Sequence, residues 1–261
     1  LHLSIRRQRQ MCIRDRDVVF VRQLMGPHSA AGWGLFATAY LAAAASVLVL
    51  WAMAPAIFLM AFLLISAFHF SGDPEGETPA WFRMLYGGAV IICPLALHAA
   101  EVREIFALLA GEPAARAIVT ALQWIAWPWL AAIGVAVIAT AKRNLARSVE
   151  LASITALLCF APPLIGFTLF FCAMHGARHV LRTRDYAHAG TLRHLLRIAA
   201  GPMLATVVGV GIAWWWSAGK PLDMRLAQVL FVGLAALTVP HMIVIERVRL
   251  TGWVPGRGIA R

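Results

Sequence analysis

Residues 30–70 read AAGWGLFATAYLAAAASVLVLWAMAPAIFLMAFLLISAFHF, with no Asp, Glu, Lys or Arg among them. Residues 30–53 form an Ala/Leu/Val run long enough to span a bilayer, for which about 20 apolar residues suffice. Pro55 breaks the run, and residues 56–70 form a second one ending at Ser71-Gly72-Asp73-Pro74. Further runs occur at 84–99, 118–140, 150–172 (interrupted by Pro162-Pro163), 198–216 and 226–246. No period-two alternation and no repeat stands out. A helix satisfies its own backbone, which lipid cannot do for it. The pattern predicts an all-α, polytopic integral membrane helical bundle of about six to seven spans.

Composition agrees. The 261 residues are 61% apolar and 13% charged, with a mean hydropathy of +0.75. Soluble domains hold about 45–50% apolar and about 25% charged residues. A disordered chain, a disulfide scaffold and most soluble enzymes are excluded. The net charge of +11 comes from 23 Lys+Arg against 12 Asp+Glu. Basic loops such as Lys142-Arg143 through Arg147 suit anionic lipid. No basic run is interleaved with aromatics, so no nucleic-acid partner is expected. Cys12, Cys93, Cys159 and Cys172 form no C-x-x-C pair and read as free buried thiols. Trp124, Trp127 and Trp129 cluster as an interfacial belt would.

Residues 1–16, LHLSIRRQRQMCIRDR, differ sharply in composition from the rest of the chain. They are dense in Arg, lack an apolar signal core, and resemble translated sequencing-adapter read-through. The expectation is a non-native or disordered stretch over 1–16, then a single membrane helical domain over 17–261. A basic cytoplasmic tail is the other reading of 1–16.

Nine histidines carry most of the chemistry. Polar groups inside a membrane are costly and tend to be functional. His175 and His179 stand at i and i+4, on one face of a helix, where two neutral imidazoles can share a metal ion. The plainer reading is an interfacial helix end whose Arg178 and His179 reach headgroups. His69, in Ala67-Phe68-His69-Phe70, and His241, after Pro240, each read alone as a core histidine bonded to a carbonyl. Together, His69, His175 and His179 could converge on one metal. His98, before Glu101, reads as interfacial. His28, His188 and His194 read as surface residues. Asp73 could orient a ligand histidine or serve the Ser-Gly-Asp-Pro turn. No G-x-S-x-G, P-loop, H-E-x-x-H or dinucleotide fingerprint occurs.

The strings Phe170-Phe171-Cys172-Ala173-Met174-His175-Gly176-Ala177-Arg178-His179 and Phe231-Val232-Gly233-Leu234-Ala235-Ala236-Leu237-Thr238-Val239-Pro240-His241-Met242-Ile243, with the His69-Phe70 element, resemble the Brp/Blh family. These are membrane-bound β-carotene 15,15'-dioxygenases of bacteria and archaea. The resemblance covers the chain from about Asp17 to Glu246. It implies a non-haem Fe(II) enzyme that cleaves the central double bond of β-carotene with O2, giving two retinal molecules. The implied iron ligands are His69, His175 and His179. The family also carries an early Pro-His-Gly-Ala-x-Asp element. If Asp17 matches its Asp, its histidine falls near Ile13, within the adapter-like stretch, and that ligand is missing from this sequence. The family often has Ser where this chain has Gly176. His69 is followed by Phe-Ser-Gly-Asp rather than the commoner Phe-Gly-x-x-Asp. The resemblance further implies a multi-pass location in the bacterial inner membrane and a functional link to retinal-binding rhodopsins.

A polyene that partitions into the bilayer suits an enzyme embedded there. Histidine-only ligation leaves open positions on iron for O2. Phe170, Phe171, Met174 and Met242 could line a substrate tunnel or simply pack between helices. Two readings compete. A haem-binding membrane protein needs two histidines from different helices, and a transporter would use the intramembrane histidines as substrate or proton sites. A di-iron desaturase needs more histidine boxes than this sequence holds.

Overall fold

A computed structural model describes residues 30–74, 78–178, 204 and 206–251. The described residues are helical, with no strand among them. The expected non-native stretch 1–16, and with it His28, His179, His188 and His194, lies outside the described residues. The chain divides into two compact units, Leu1–Val49 with His179–Arg261, and Leu50–Arg178.

Proline and glycine set several of the helix boundaries within the second unit. Helix α1 (Ala30–Met53) ends one residue before Ala54, whose φ of −145° and ψ of 68° make the joint. Pro55 opens α2 (Pro55–Phe70) at a position where its missing N–H has no helical partner to lose. Helix α3 (Ala80–Ile92) leads into the short α4 (Pro94–Leu97), and His98 breaks the chain before α5 (Ala99–Ala110). The apolar run at 84–99 is thus interrupted at Cys93 and at His98. Gly111 closes α5 with φ +83°, a conformation open to glycine without strain. Helix α6 (Glu112–Ala141) runs 30 residues, about 45 Å at 1.5 Å per residue, and continues through Pro128. Asn144 caps α7 (Leu145–Phe160) by accepting the Arg147 N–H at 3.0 Å. Pro162-Pro163 then starts α8 (Pro163–Leu169), which widens into a π-helical segment over Phe170–Gly176.

The core of this unit lies between α3, α6 and α7, where Phe82, Tyr86, Ala89, Leu151, Ile154 and Leu158 are buried. The Ser148 hydroxyl donates to the Val137 carbonyl at 2.7 Å, tying α7 to α6. The Trp129 indole donates to the Leu85 carbonyl at 3.3 Å, tying α6 to α3. The tryptophan belt is therefore corrected in part. Trp124 and Trp127 face outward at 81% and 63% exposure. Trp129 turns inward and covers Gly88, because α3 leaves a Cβ-free slot there. The cysteines are corrected similarly: Cys93 and Cys159 are buried free thiols, but Cys172 is exposed.

The first unit contains α9 (Thr206–Trp216), α10 (Leu222–Ala227), a π-helical segment (Gln228–Val232) and α11 (Gly233–Thr251). The Tyr40 hydroxyl of α1 donates to the Leu237 carbonyl of α11 at 3.0 Å, close to Pro240. Arg225 donates to the Trp214 carbonyl at 2.7 Å and lies over its ring.

Among the described residues, Glu112–Ala141 and Leu222–Ile243 are long and apolar enough to cross a membrane. Other apolar helical stretches, Pro55–Phe70 and Pro163–Gly176 among them, run 10–17 residues. Their outward side chains are apolar too, as at Leu64 and Leu164, and so are those of Ile138 and Phe160 on α6 and α7.

Candidate metal centre

The site grows from the end of α2. After Phe70 the chain stays coiled for one more turn. The Ser71 N–H donates to Ala67 O, Gly72 to His69 O and Asp73 to Phe70 O, at 2.9–3.1 Å. The Ser71 hydroxyl closes on Phe68 O at 2.6 Å. Pro74 cannot continue a helix and disfavours the helical conformation at Asp73. The Asp73 side chain leaves this turn buried, only 2% exposed.

The second half comes from the π-helical segment. A π turn carries an extra residue and re-aims the side chains it bears, and such turns recur at functional sites. Gly176 ends the segment. A Cβ there would lie 3.1 Å from the Phe171 carbonyl oxygen, so the turn is closely packed at this position. His175 sits just before it and is 6% exposed.

These two halves meet. His175 Nδ1 lies 2.9 Å from both Asp73 carboxylate oxygens. Its Nε2 lies 3.2 Å from Nε2 of His69, a residue 106 positions away. A carboxylate only accepts, so Nδ1 carries the hydrogen and a neutral His175 presents a bare Nε2 lone pair toward His69. Asp73 thus fixes the ring and its tautomer, the task of a carboxylate behind a metal-ligating histidine. Phe70 meets the His175 ring edge-on at 5.1 Å, and Phe171 stacks on it at 5.5 Å. His69 is half-buried and His175 buried.

The pair fits a divalent transition metal. With metal–nitrogen bonds of about 2.1 Å, two ligand nitrogens stand about 3.0 Å apart at neighbouring octahedral positions and about 3.4 Å apart in a tetrahedron. The Nε2 separation of 3.2 Å lies between these values. Among the described residues, no three His, Cys, Asp or Glu side chains group as a metal site. His179, the third expected ligand, is outside the described residues.

The remaining expected residues lie elsewhere. Met174 packs half-buried against the core of the second unit. His241 is half-buried on α11 in the first unit. His98 pairs with Glu101 at 3.0 Å, at the first turn of α5. Arg178 departs from its expected reach to headgroups: its Nη1 donates to Glu150 at 2.7 Å and to the Tyr86 hydroxyl at 3.2 Å. Sequence reasoning missed Phe70, Tyr86 and Glu150. A lone glutamate in the apolar run at 150–172 was the one signal that could have flagged Glu150. An apolar groove of about 480 Å³ between α4, α6 and α7 is lined by residues such as Leu97, Trp127 and Phe160, and by neither histidine.

Comparison with known proteins points in the same direction. The family model for beta-carotene 15,15'-dioxygenase matches residues 17–248. The chain is 28% identical over 225 residues to a beta-carotene 15,15'-dioxygenase of uncultured marine bacterium 66A03, covering 79% of this chain and 78% of that protein. It is 30% identical over 136 residues to a probable beta-carotene 15,15'-dioxygenase Blh of Halobacterium salinarum, covering 44% of this chain and 39% of that protein. No solved structure matches it significantly. The chain belongs to the β-carotene 15,15'-dioxygenase family.

Proposed function

We propose that this chain cleaves the 15,15' double bond of β-carotene with O2 to give two retinal molecules, at an Fe(II) held by His69, His175 and His179. The observation that carries the site is the convergence of His69 Nε2 and His175 Nε2 at 3.2 Å, with Asp73 behind His175. When bound, the iron would supply O2 activation, through positions that histidine ligation leaves open. The protein's part is positional. Asp73 holds the His175 proton on Nδ1 and so keeps Nε2 available. Phe70, Phe171 and the buried core exclude water from behind the ligands. Met174 and His241 are proposed as site-lining residues.

The setting proposed is the bacterial inner membrane, crossed about six to seven times, with the substrate entering sideways from lipid. Two long apolar helices and the outward-facing apolar side chains support it. Retinal-binding rhodopsins are the proposed users of the product.

The test is retinal formation in membranes of cells that accumulate β-carotene. One arm carries this chain. The other carries Cys12→Pro, Ile13→His, Arg14→Gly and Asp15→Ala, which places the family's Pro-His-Gly-Ala element ahead of Asp17. Retinal in either arm is the expected result. Its absence from both, with protein present in the membrane, would overturn the proposal and favour the transporter or haem readings.

Asp73→Asn gives a graded check. The amide keeps an acceptor but loses the charge that fixes the His175 tautomer. Metal affinity or activity is expected to fall about 10–100-fold, read as metal retained by purified protein alongside retinal formation. Unchanged values would show that Asp73 serves the turn alone.

A further inference from the structure

We propose that Arg178 is a positioning residue for this histidine site, clamping the π-helical segment that carries His175 through Glu150 and Tyr86. The proposal rests on the metal-site reading above. Arg178 lies three residues beyond His175, so the two side chains leave neighbouring faces of the helix. Its Nη1 donates to Glu150 Oε1 of α7 at 2.7 Å and to the Tyr86 hydroxyl of α3 at 3.2 Å. The charged pair is about three-quarters buried on both sides, and Tyr86 is 1% exposed.

Tyr86 also contacts the other end of the segment. Its ring meets Phe170, the first π-helical residue, with centroids 6.3 Å apart. Phe170 meets Phe70 edge-on at 5.1 Å, and Phe70 meets His175 edge-on at 5.1 Å. Tyr86 therefore touches the segment at its first residue and, through Arg178, two residues past its last. This matters because π-helical geometry is rare and normally limited to a single turn. A segment free to relax toward α-helical geometry would rotate His175 away from His69. Ties at both ends hold the register, and hence the Nε2 separation. Arg178 and Glu150 act from outside the site, on the backbone that aims the ligand.

The test uses the purified full chain in detergent, with Co(II) as a spectroscopic probe in place of iron. Arg178→Gln is expected to weaken Co(II) binding about 10–100-fold, to shift its d–d absorption, and to lower kcat for β-carotene while KM stays within about twofold. Arg178→Lys keeps the charge and should recover part of the loss. Glu150→Gln with Arg178→Gln leaves no lone buried charge, so this double variant should bind Co(II) no worse than the weaker single variant. A change confined to the melting temperature would mean that Arg178 is merely structural. Wild-type Co(II) affinity and spectrum in Arg178→Gln would overturn the proposal. If that variant does not fold, the same result in the double variant does so. Co(II) binding lost in His175→Asn but retained in Arg178→Gln overturns this inference alone. Wild-type protein that binds no Co(II), or His175→Asn that binds it normally, overturns the site reading and this inference with it.

Discussion

His175→Asn is expected to lower retinal formation by more than about 100-fold, beyond what loss of a residue behind a ligand produces, while the protein still inserts and folds. The choice of Asn matters. Asp73 is 2% exposed and its carboxylate rests on His175 Nδ1 at 2.9 Å. His175→Ala would strand that carboxylate, and an unpaired buried charge costs about 3–5 kcal/mol. Loss of activity could then be loss of fold. The Asn amide places an N–H close to where Nδ1 stood, so Asp73 keeps a donor, but nothing remains at the Nε2 position facing His69. Metal content and retinal should disappear together, with the unfolding midpoint little changed. His179→Ala should likewise abolish retinal formation. Full activity in either variant would remove that histidine from the ligand set.

Gly87→Ala is expected to have the largest effect on the fold. A Cβ at Gly87 would overlap the Ala67 carbonyl oxygen and stand 2.6 Å from the Ser71 nitrogen. Both are backbone atoms at the end of α2, already joined to each other by a 3.1 Å hydrogen bond. No rotamer change can relieve the overlap. Glycine here is what lets α2 and α3 approach so closely, as small residues do between membrane helices. Overpacking costs about 1–3 kcal/mol even where side chains can move, and the backbone contact puts this substitution at or above the upper end. Ala67 and Ser71 bracket His69 by two residues on each side. Pushing α3 away must therefore displace His69 as well as weaken the bundle. The measurements are the denaturation midpoint in detergent and retinal formation, both expected to fall. Wild-type values for both would show that α2 and α3 separate freely.

The opposite case is the histidine motif, where spacing in the chain is only half the answer. His175 and His179 stand out at i and i+4 because helical periodicity is local. The pairing that the structure makes is His175 with His69, across 106 residues. Asp73 is legible in the sequence as one of two things, a turn residue or a partner for histidine, and its place in the fold makes it both. The reason is Pro74, which ends the helix, and the extra turn at Ser71-Gly72, from which the carboxylate reaches His175 Nδ1 at 2.9 Å. Arg178 departs from its local pattern for a related reason. A basic residue at the end of an apolar run normally reaches outward, and only packing of α3 and α7 around it offers Glu150 and Tyr86 instead.

Composition and short-range pattern were enough for the outline of the molecule. Apolar runs without charge make the protein helical, prolines at 55, 94 and 163 mark where helices begin, and the string around His175 points to the family. Which polar groups meet is a property of the folded chain alone. A buried carboxylate, arginine or imidazole is tolerable only beside a partner, and that partner is supplied by a different helix, at a separation in the chain that no local pattern encodes.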